Sequence, residues 1–210
     1  MKIMIKSLVT LFLLCFAVPA WATDSAVDTT ADGPKVVVEK AVNGILHVLE
    51  QRKDLSKLTE EDRQAIGKQV DGRFNYRLMA RRAVGKVWKK QSTEQQAAFT
   101  TAFRNLLERS YGNRLAAYKG QTVEFDDAKF KKTRALVKTR VIDGNKVIPV
   151  DYLLRKKNDV WQVYNIKIEG VSLISTYIKQ FKGPLKKDGF DALLKSLNDK
   201  VERLKHKDVS

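Results

Sequence analysis

Few side chains in this sequence could do chemistry, and their spacing excludes most of it. Of its two histidines, His47 lies inside an expected helix and His206 in a basic C-terminal tail. Neither stands beside a G-x-S-x-G motif that would supply a nucleophile. One cysteine, Cys15, and two histidines are too few soft ligands for a structural zinc site, and a lone cysteine closes no disulfide within the chain. No H-E-x-x-H, P-loop or G-x-G-x-x-G occurs, so metalloprotease, nucleotide and dinucleotide chemistry lack their motifs. Asp151 and Glu169 border apolar strands and could act as general acid and base if enclosed together. Solvent-facing or locally paired acids are the simpler reading. Tyr111, Tyr118, Tyr152, Tyr164 and Tyr177 bring hydroxyls that need a polar outlet wherever the rings are buried.

What remains is charge and apolar surface. In 210 residues, 43% hydrophobic and 30% charged, forty Lys and Arg outweigh twenty-four Asp and Glu to give +16. The composition is that of a globular chain whose partners are anionic. Cations cluster at Lys86-Lys89-Lys90, Lys129-Lys131-Lys132-Arg134, Arg155-Lys156-Lys157, Lys179-Lys182 and Lys186-Lys187. The first 22 residues form a separate unit. Lys2 and Lys6 precede an apolar run, Leu8 to Val18, and Ala20-Trp21-Ala22 supplies a small-x-small cleavage pattern. This is the pattern of a secretory signal peptide, too short for a membrane span of about 20 residues. Phe12, Leu13 and Leu14 stand before Cys15 where a lipidation site would need small residues. Cleavage leaves 23–210 as a single mature unit without cysteine, and removing two lysines takes the net charge from +16 to +14. A product of this kind suits the bacterial periplasm, where it meets anionic lipid rather than nucleic acid.

The elements follow from hydropathy. Pro34 opens a helix carrying Val37, Val38, Ala41, Val42, Ile45, Val48 and Leu49 at helical spacing. Thr59 caps a second, with Glu60, Glu61 and Asp62 in its first turn. A third runs from Asn75 to Trp88. Ser92 and Gln95 make a capping box for a helix of about 25 residues, striped by Phe99, Phe103, Leu106, Leu107, Tyr111, Leu115 and Tyr118. Gly120 ends it, and the period changes to two. Strands are expected at Val123–Phe125, Arg134–Ile142, Val147–Arg155 and Val160–Ile168, an antiparallel meander of about four. Ala135, Val137, Thr139 and Val141 share one face, as do Ile148, Val150, Tyr152 and Leu154. Pro149 calls for a local edge or a bulge. Val171 to Phe181 reads as a helix broken at Gly183-Pro184, and Phe190 to Leu204 as a last one. The class is α+β, a curved antiparallel sheet covered by helices. A helical part (about 34–90 and 184–207) flanks a helix-plus-sheet part (about 92–182).

Two segments carry a resemblance. One runs from Phe99-x3-Phe103-x2-Leu106-Leu107-x3-Tyr111 to Tyr118-Lys119-Gly120-Gln121, the other from Trp161 to Ile174, WQVYNIKIEGVSLI. Together they resemble the periplasmic phospholipid-binding proteins of the Mla outer-membrane lipid-asymmetry pathway, a family also named for toluene tolerance. The resemblance implies an NTF2-like fold with additional N- and C-terminal helices and a deep apolar pocket between sheet and helices. It implies a phospholipid as cargo, with acyl chains in the pocket and the headgroup near solvent, no cofactor, no metal and no catalysis. Its implied partners are an inner-membrane MCE-domain ABC transporter complex and an outer-membrane lipoprotein–porin complex. Asn75 stands where many relatives carry Asp. Ile178 follows Tyr177 where an Arg is common, so a contact by that Arg does not carry over.

Alternation and helical spacing nominate the pocket lining: Val137, Val150, Tyr152, Val163, Ile166, Val171, Ile174 and Tyr177, with Leu78, Phe103, Leu107 and Tyr111 from the helices. A bulge near Pro149 would swap the strand faces. Lys131, Lys132, Lys156, Lys157, Lys186 and Lys187 are expected to face an anionic membrane or a headgroup. The protein is expected to be a monomer. Two rivals stand beside the carrier: a periplasmic adaptor without cargo, and a cone-fold enzyme that would need Asp151 or another acid inside the pocket with a raised pKa.

Overall fold

The structure, a computed structural model, describes residues 32–209. The expected signal peptide lies outside the described residues. Helix α1 (Pro34–Gln51) opens on proline, whose missing N–H is one of the donors a first turn leaves free. It buries Val37, Val38, Ala41, Val42 and Leu49. Helix α2 (Glu60–Val70) is held by a reciprocal box: Asp62 N donates to Thr59 Oγ1 at 3.1 Å, and Thr59 N to Asp62 Oδ2 at 2.9 Å. Helix α3 (Tyr76–Val84) is capped by Asn75, whose Oδ1 accepts from Leu78 N at 2.8 Å. The third helical stretch does not run unbroken to Trp88. Gly85, at φ +64°, ψ −131°, leaves the helical region, and a 3₁₀ turn (Gly85–Lys90) follows. Helix α4 (Thr93–Ala116) starts on the Ser92–Gln95 box.

All strand pairs are antiparallel, in the order β1-β3-β4-β5-β6, with β2 also paired to β3. The four expected strands are β1 (Thr122–Phe125), β3 (Arg134–Asp143), β4 (Lys146–Lys157) and β5 (Val160–Ile168). Two short ones complete the sheet: β2 (Lys129–Lys131), which continues along β3 where β1 stops, and β6 (Val171–Ser172). Segments of two or three residues carry no readable period. Pro149 sits opposite Arg140, beyond the Val150–Ile168 pair that ends the β4–β5 ladder. Its carbonyl accepts from Glu169 N at 2.9 Å, so its missing N–H points past the end of β5, where no ladder bond is lost. The bulge lies farther along. Leu153 pairs with Asn165 but Leu154 with Val163, leaving Tyr164 as the extra residue. That insertion puts Val163 and Ile166, three positions apart, on the same face.

Helix α5 (Leu173–Lys187) passes through Gly183-Pro184, contrary to the break expected there. Buried Phe181 before the proline and Leu185 after it both pack on the helical core, which offsets a lost intrahelical bond. The break falls at Gly189 (φ +83°), where α6 (Gly189–Val209) begins. Two apolar interiors result. Helices α3 to α6 enclose Phe99, Phe103, Tyr177, Phe181 and Phe190, among others. The sheet face bearing Val137, Leu154 and Val163 packs on Val37, Val38 and Val42 of α1.

Candidate functional site

Between these interiors lies a cavity of ≈ 280 Å³. Helix α1 contributes Val42 and Ile45, α2 Ile66 and Val70, and α4 Leu107, Tyr111 and Leu115. Tyr152, Ile166 and Ile168 form its floor from the sheet, and Phe74, Tyr76, Met79 and Leu173 close it. A second, mainly apolar lobe of ≈ 350 Å³ adjoins it, sharing Val42, Ile45, Leu115 and Tyr152. The wall is aliphatic and aromatic, so it removes hydrocarbon from water and offers little to a polar substrate.

The polar groups at the cavity are not poised for proton transfer. Glu108 is held by Arg104 Nε at 2.7 Å. Burial pushes the Tyr152 phenol up to about 12. Burial also raises Tyr76 and Tyr111, with Glu108 adding to the rise at Tyr76. Asp151 lies on the opposite face of β4 from Tyr152, between Lys138 and Lys167 on the flanking strands. Glu169 is exposed in the turn after β5. Neither carboxylate lines the cavity, so Asp151 is not the enclosed acid that the enzyme reading names; the acid in the wall is the Arg104-paired Glu108. His47 and His206 are exposed on α1 and α6, and the described residues contain no cluster able to hold a metal ion.

Residues 39–199 match the family model of the MlaC protein, well over half of the chain. The chain belongs to the MlaC family. Among similar proteins, the intermembrane phospholipid transport system binding protein MlaC of Haemophilus influenzae is 27% identical over 135 residues, 61% of this chain and 63% of the relative. The toluene tolerance protein ttg2D of Pseudomonas putida is 32% identical over 108 residues, 50% of each. The chain thus spans less than two thirds of the length of either relative. A solved structure of a phospholipid-binding protein from Ralstonia solanacearum, in complex with a phospholipid, superposes with a TM-score of 0.76 at 26% identity. It covers 82% of this chain and 99% of that one. The MlaC fold is thus this chain's fold, an open curved sheet with helices against it.

On that fold the expected lining residues divide. Leu107, Tyr111, Tyr152 and Ile166 meet at the cavity. Val137 and Val163 lie in the solid core between sheet and α1. Phe103, Ile174 and Tyr177 belong to the helical core, where the Tyr177 ring meets Phe103 edge-on at 5.0 Å. Val150 is buried beside Ile168 without reaching the wall. Val171, on edge strand β6, is 65% exposed. Leu78 lines a basic groove of ≈ 400 Å³ with Arg77, Arg81, Arg155, Lys156 and Lys157. Alternation names a face but not which part of it is hollow, and this explains the division. Of the α1 and α2 contributors, Val42 and Ile45 belong to the helical stripe expected on α1, whereas Ile66 and Val70 on α2 were not singled out, and nothing in either helix by itself marks a cavity. The cations divide too. Lys131, Lys132, Lys156 and Lys157 share one end of the sheet, where Arg134 stands opposite both Lys131 and Arg155. Lys186 and Lys187 are exposed at the end of α5.

Proposed function

We propose that this chain is a periplasmic phospholipid carrier, with acyl chains held in the cavity between α1, α2, α4 and the sheet. The observation that carries this reading is the cavity itself: a mainly apolar, two-lobed space whose lining carboxylates are both engaged, Glu108 by Arg104 in the main lobe and Asp143 by the Gln121 amide in the second. The fold it shares with a phospholipid-bound protein supports the same cargo. Placing both chains of a phospholipid in water exposes roughly thirty methylenes, on the order of 25 kcal/mol. Burial in a protein cavity removes most of that cost. Because cavity and bilayer are both apolar, loading and unloading are close to neutral, as a shuttle requires. The carrier would exchange lipid with an inner-membrane MCE-domain ABC transporter and an outer-membrane lipoprotein–porin complex, maintaining outer-membrane asymmetry. Those partners set the direction. The basic end of the sheet and the end of α5 would steer it to anionic surfaces.

Native mass spectrometry of the freshly purified chain, with organic extraction, tests this reading. Co-purifying phospholipid is expected without any lipid being added. An apo mass alone, with no phosphorus in the extract, overturns it.

A further inference from the structure

A buried cation without an anion lies one recess away from the cavity. Arg52, immediately after α1, is 6% exposed and forms no ion pair with any of the described residues. Its guanidinium donates to the carbonyls of Tyr118 at 2.8 Å, Leu55 at 3.4 Å and Leu115 at 3.5 Å. Its Nε–H is buried with no acceptor among the described residues. An arginine has five donors, so this fork is incompletely used. Carbonyls at the end of α4 favour a cation through the helix dipole, but they leave its charge unneutralised.

Arg52 lines a recess of ≈ 820 Å³ together with Asn43, Glu50, Lys119 and Gln121. Glu50 accepts the Tyr118 hydroxyl at 3.1 Å and does not reach Arg52. The recess shares Leu46, Leu49 and Val123 with the second apolar lobe, which in turn shares Val42, Ile45 and Tyr152 with the main cavity. The spaces therefore run from apolar to polar in the order of an amphiphile. On the opposite flank, between α2 and α4, two arginines already hold carboxylates. There Arg104 pairs with Asp71 and Glu108, both at 2.7 Å, and Arg109 with Glu60 at 2.6 Å. Arg114 borders both lobes but is exposed, lying 5.5 Å from the Tyr111 ring centre, so it has little desolvation to recover.

We propose that this recess seats the lipid headgroup, with the phosphate on Arg52 and Lys119 at its rim. The acyl chains then run past Leu46 and Leu49 into the two lobes. The inference rests on the carrier reading, and it assigns the anionic phosphate of a phospholipid, rather than free phosphate, to Arg52.

Three probes test it on the delipidated chain: phosphatidylglycerol, diacylglycerol with the same chains, and inorganic phosphate alone. Arg52→Met is expected to weaken phosphatidylglycerol at least about tenfold while leaving diacylglycerol within about twofold. Arg52→Lys should retain part of the difference. Inorganic phosphate should not bind in the millimolar range. Equal loss of both lipids by a folded variant, loss of neither, or Arg52-dependent binding of inorganic phosphate overturns the inference. Should Arg52→Met fail to fold by circular dichroism, a crystal structure of the phosphatidylglycerol-loaded unmutated chain decides. A phosphate oxygen within about 4 Å of the Arg52 guanidinium supports the proposal, and a phosphate beside Arg114 or in open solvent overturns it. Binding of neither lipid by the unmutated chain overturns the carrier reading itself.

Discussion

The helical core and the space between α1, α2 and the sheet are made of similar side chains, yet one is filled and the other is hollow. In the filled region the rings of Phe99, Phe103, Tyr177, Phe181 and Phe190 interlock, with centroids 5.0 to 6.2 Å apart. Such contacts add to area burial and leave no room. In the hollow region α1 and α2 present the shorter Val42, Ile45, Ile66 and Val70, while the rings of Phe74, Tyr76, Tyr111 and Tyr152 form part of the wall. Two glycines, Gly67 and Gly112, lie in this wall. A methyl group at Gly112 would collide with the Arg63 guanidinium. The contrast ties the hollow to side-chain size at a few positions, since aliphatic and aromatic groups dominate both regions.

Substitutions can break the contrast from either side. Phe103→Ala, in the filled region, is expected to cost about 3–5 kcal/mol in denaturant unfolding, since no neighbour can close the gap. Lipid content per folded molecule should be unchanged. A loss of lipid without a loss of stability would place Phe103 on the cavity instead.

Alkaline titration gives a smaller effect on both sides. Tyr152 and Tyr177 are each raised to about 12 by burial. Below pH 10 both states keep the phenol protonated, so the full stability is present. Between about pH 10 and 12 the unfolded chain loses the proton first, and stability falls as pH rises. Tyr152→Phe should remove its own share of that loss and leave the shares of Tyr76, Tyr111 and Tyr177. Unchanged pH dependence, followed by urea unfolding, would mean that the Tyr152 hydroxyl reaches water.

Filling the hollow should cost less still. Ile168→Trp is expected to change apo-protein stability by less than about 1.5 kcal/mol while at least halving the extracted lipid. Unfolding of this variant would show that Ile168 is packed as tightly as Phe103. The basic end of the sheet should make the smallest contribution. Lys156→Gln and Lys157→Gln should each weaken binding to anionic vesicles by about 1 kcal/mol at low salt. The effect should vanish in high salt. Salt-independent binding would mean that apolar surface drives the encounter.

Much of the architecture was legible because it is local. The Thr59–Asp62 and Ser92–Gln95 boxes, proline at the start of α1 and the alternation of β3 and β4 depend on neighbours a few residues apart. The continuation of α5 through Pro184 was not legible, because packing on either side of the proline overrides its local preference. The phase change in β5 was hidden for a related reason. Tyr164 is an extra residue only relative to β4, and no single strand announces its partner's register.

The sequence by itself determined the charge, the helix caps, the four long strands, and the family kinship of the segments around Phe103 and Tyr164. It also determined which residues are apolar enough to be inside. Only the tertiary structure decided which of them touch each other and which face a void. Phe103 and Leu107 are one helical turn apart on the same stripe, yet Phe103 meets Tyr177 and Leu107 meets the cavity. The physical reason is that burial depends on a residue's own hydrophobicity, whereas a cavity depends on the volumes of groups brought together from five helices and a sheet. Arg52 obeys the same rule. Its position after α1 is written in the chain, but its seat on carbonyls, without an ion pair among the described residues, arises only where α1, the end of α4 and the loop after α4 meet.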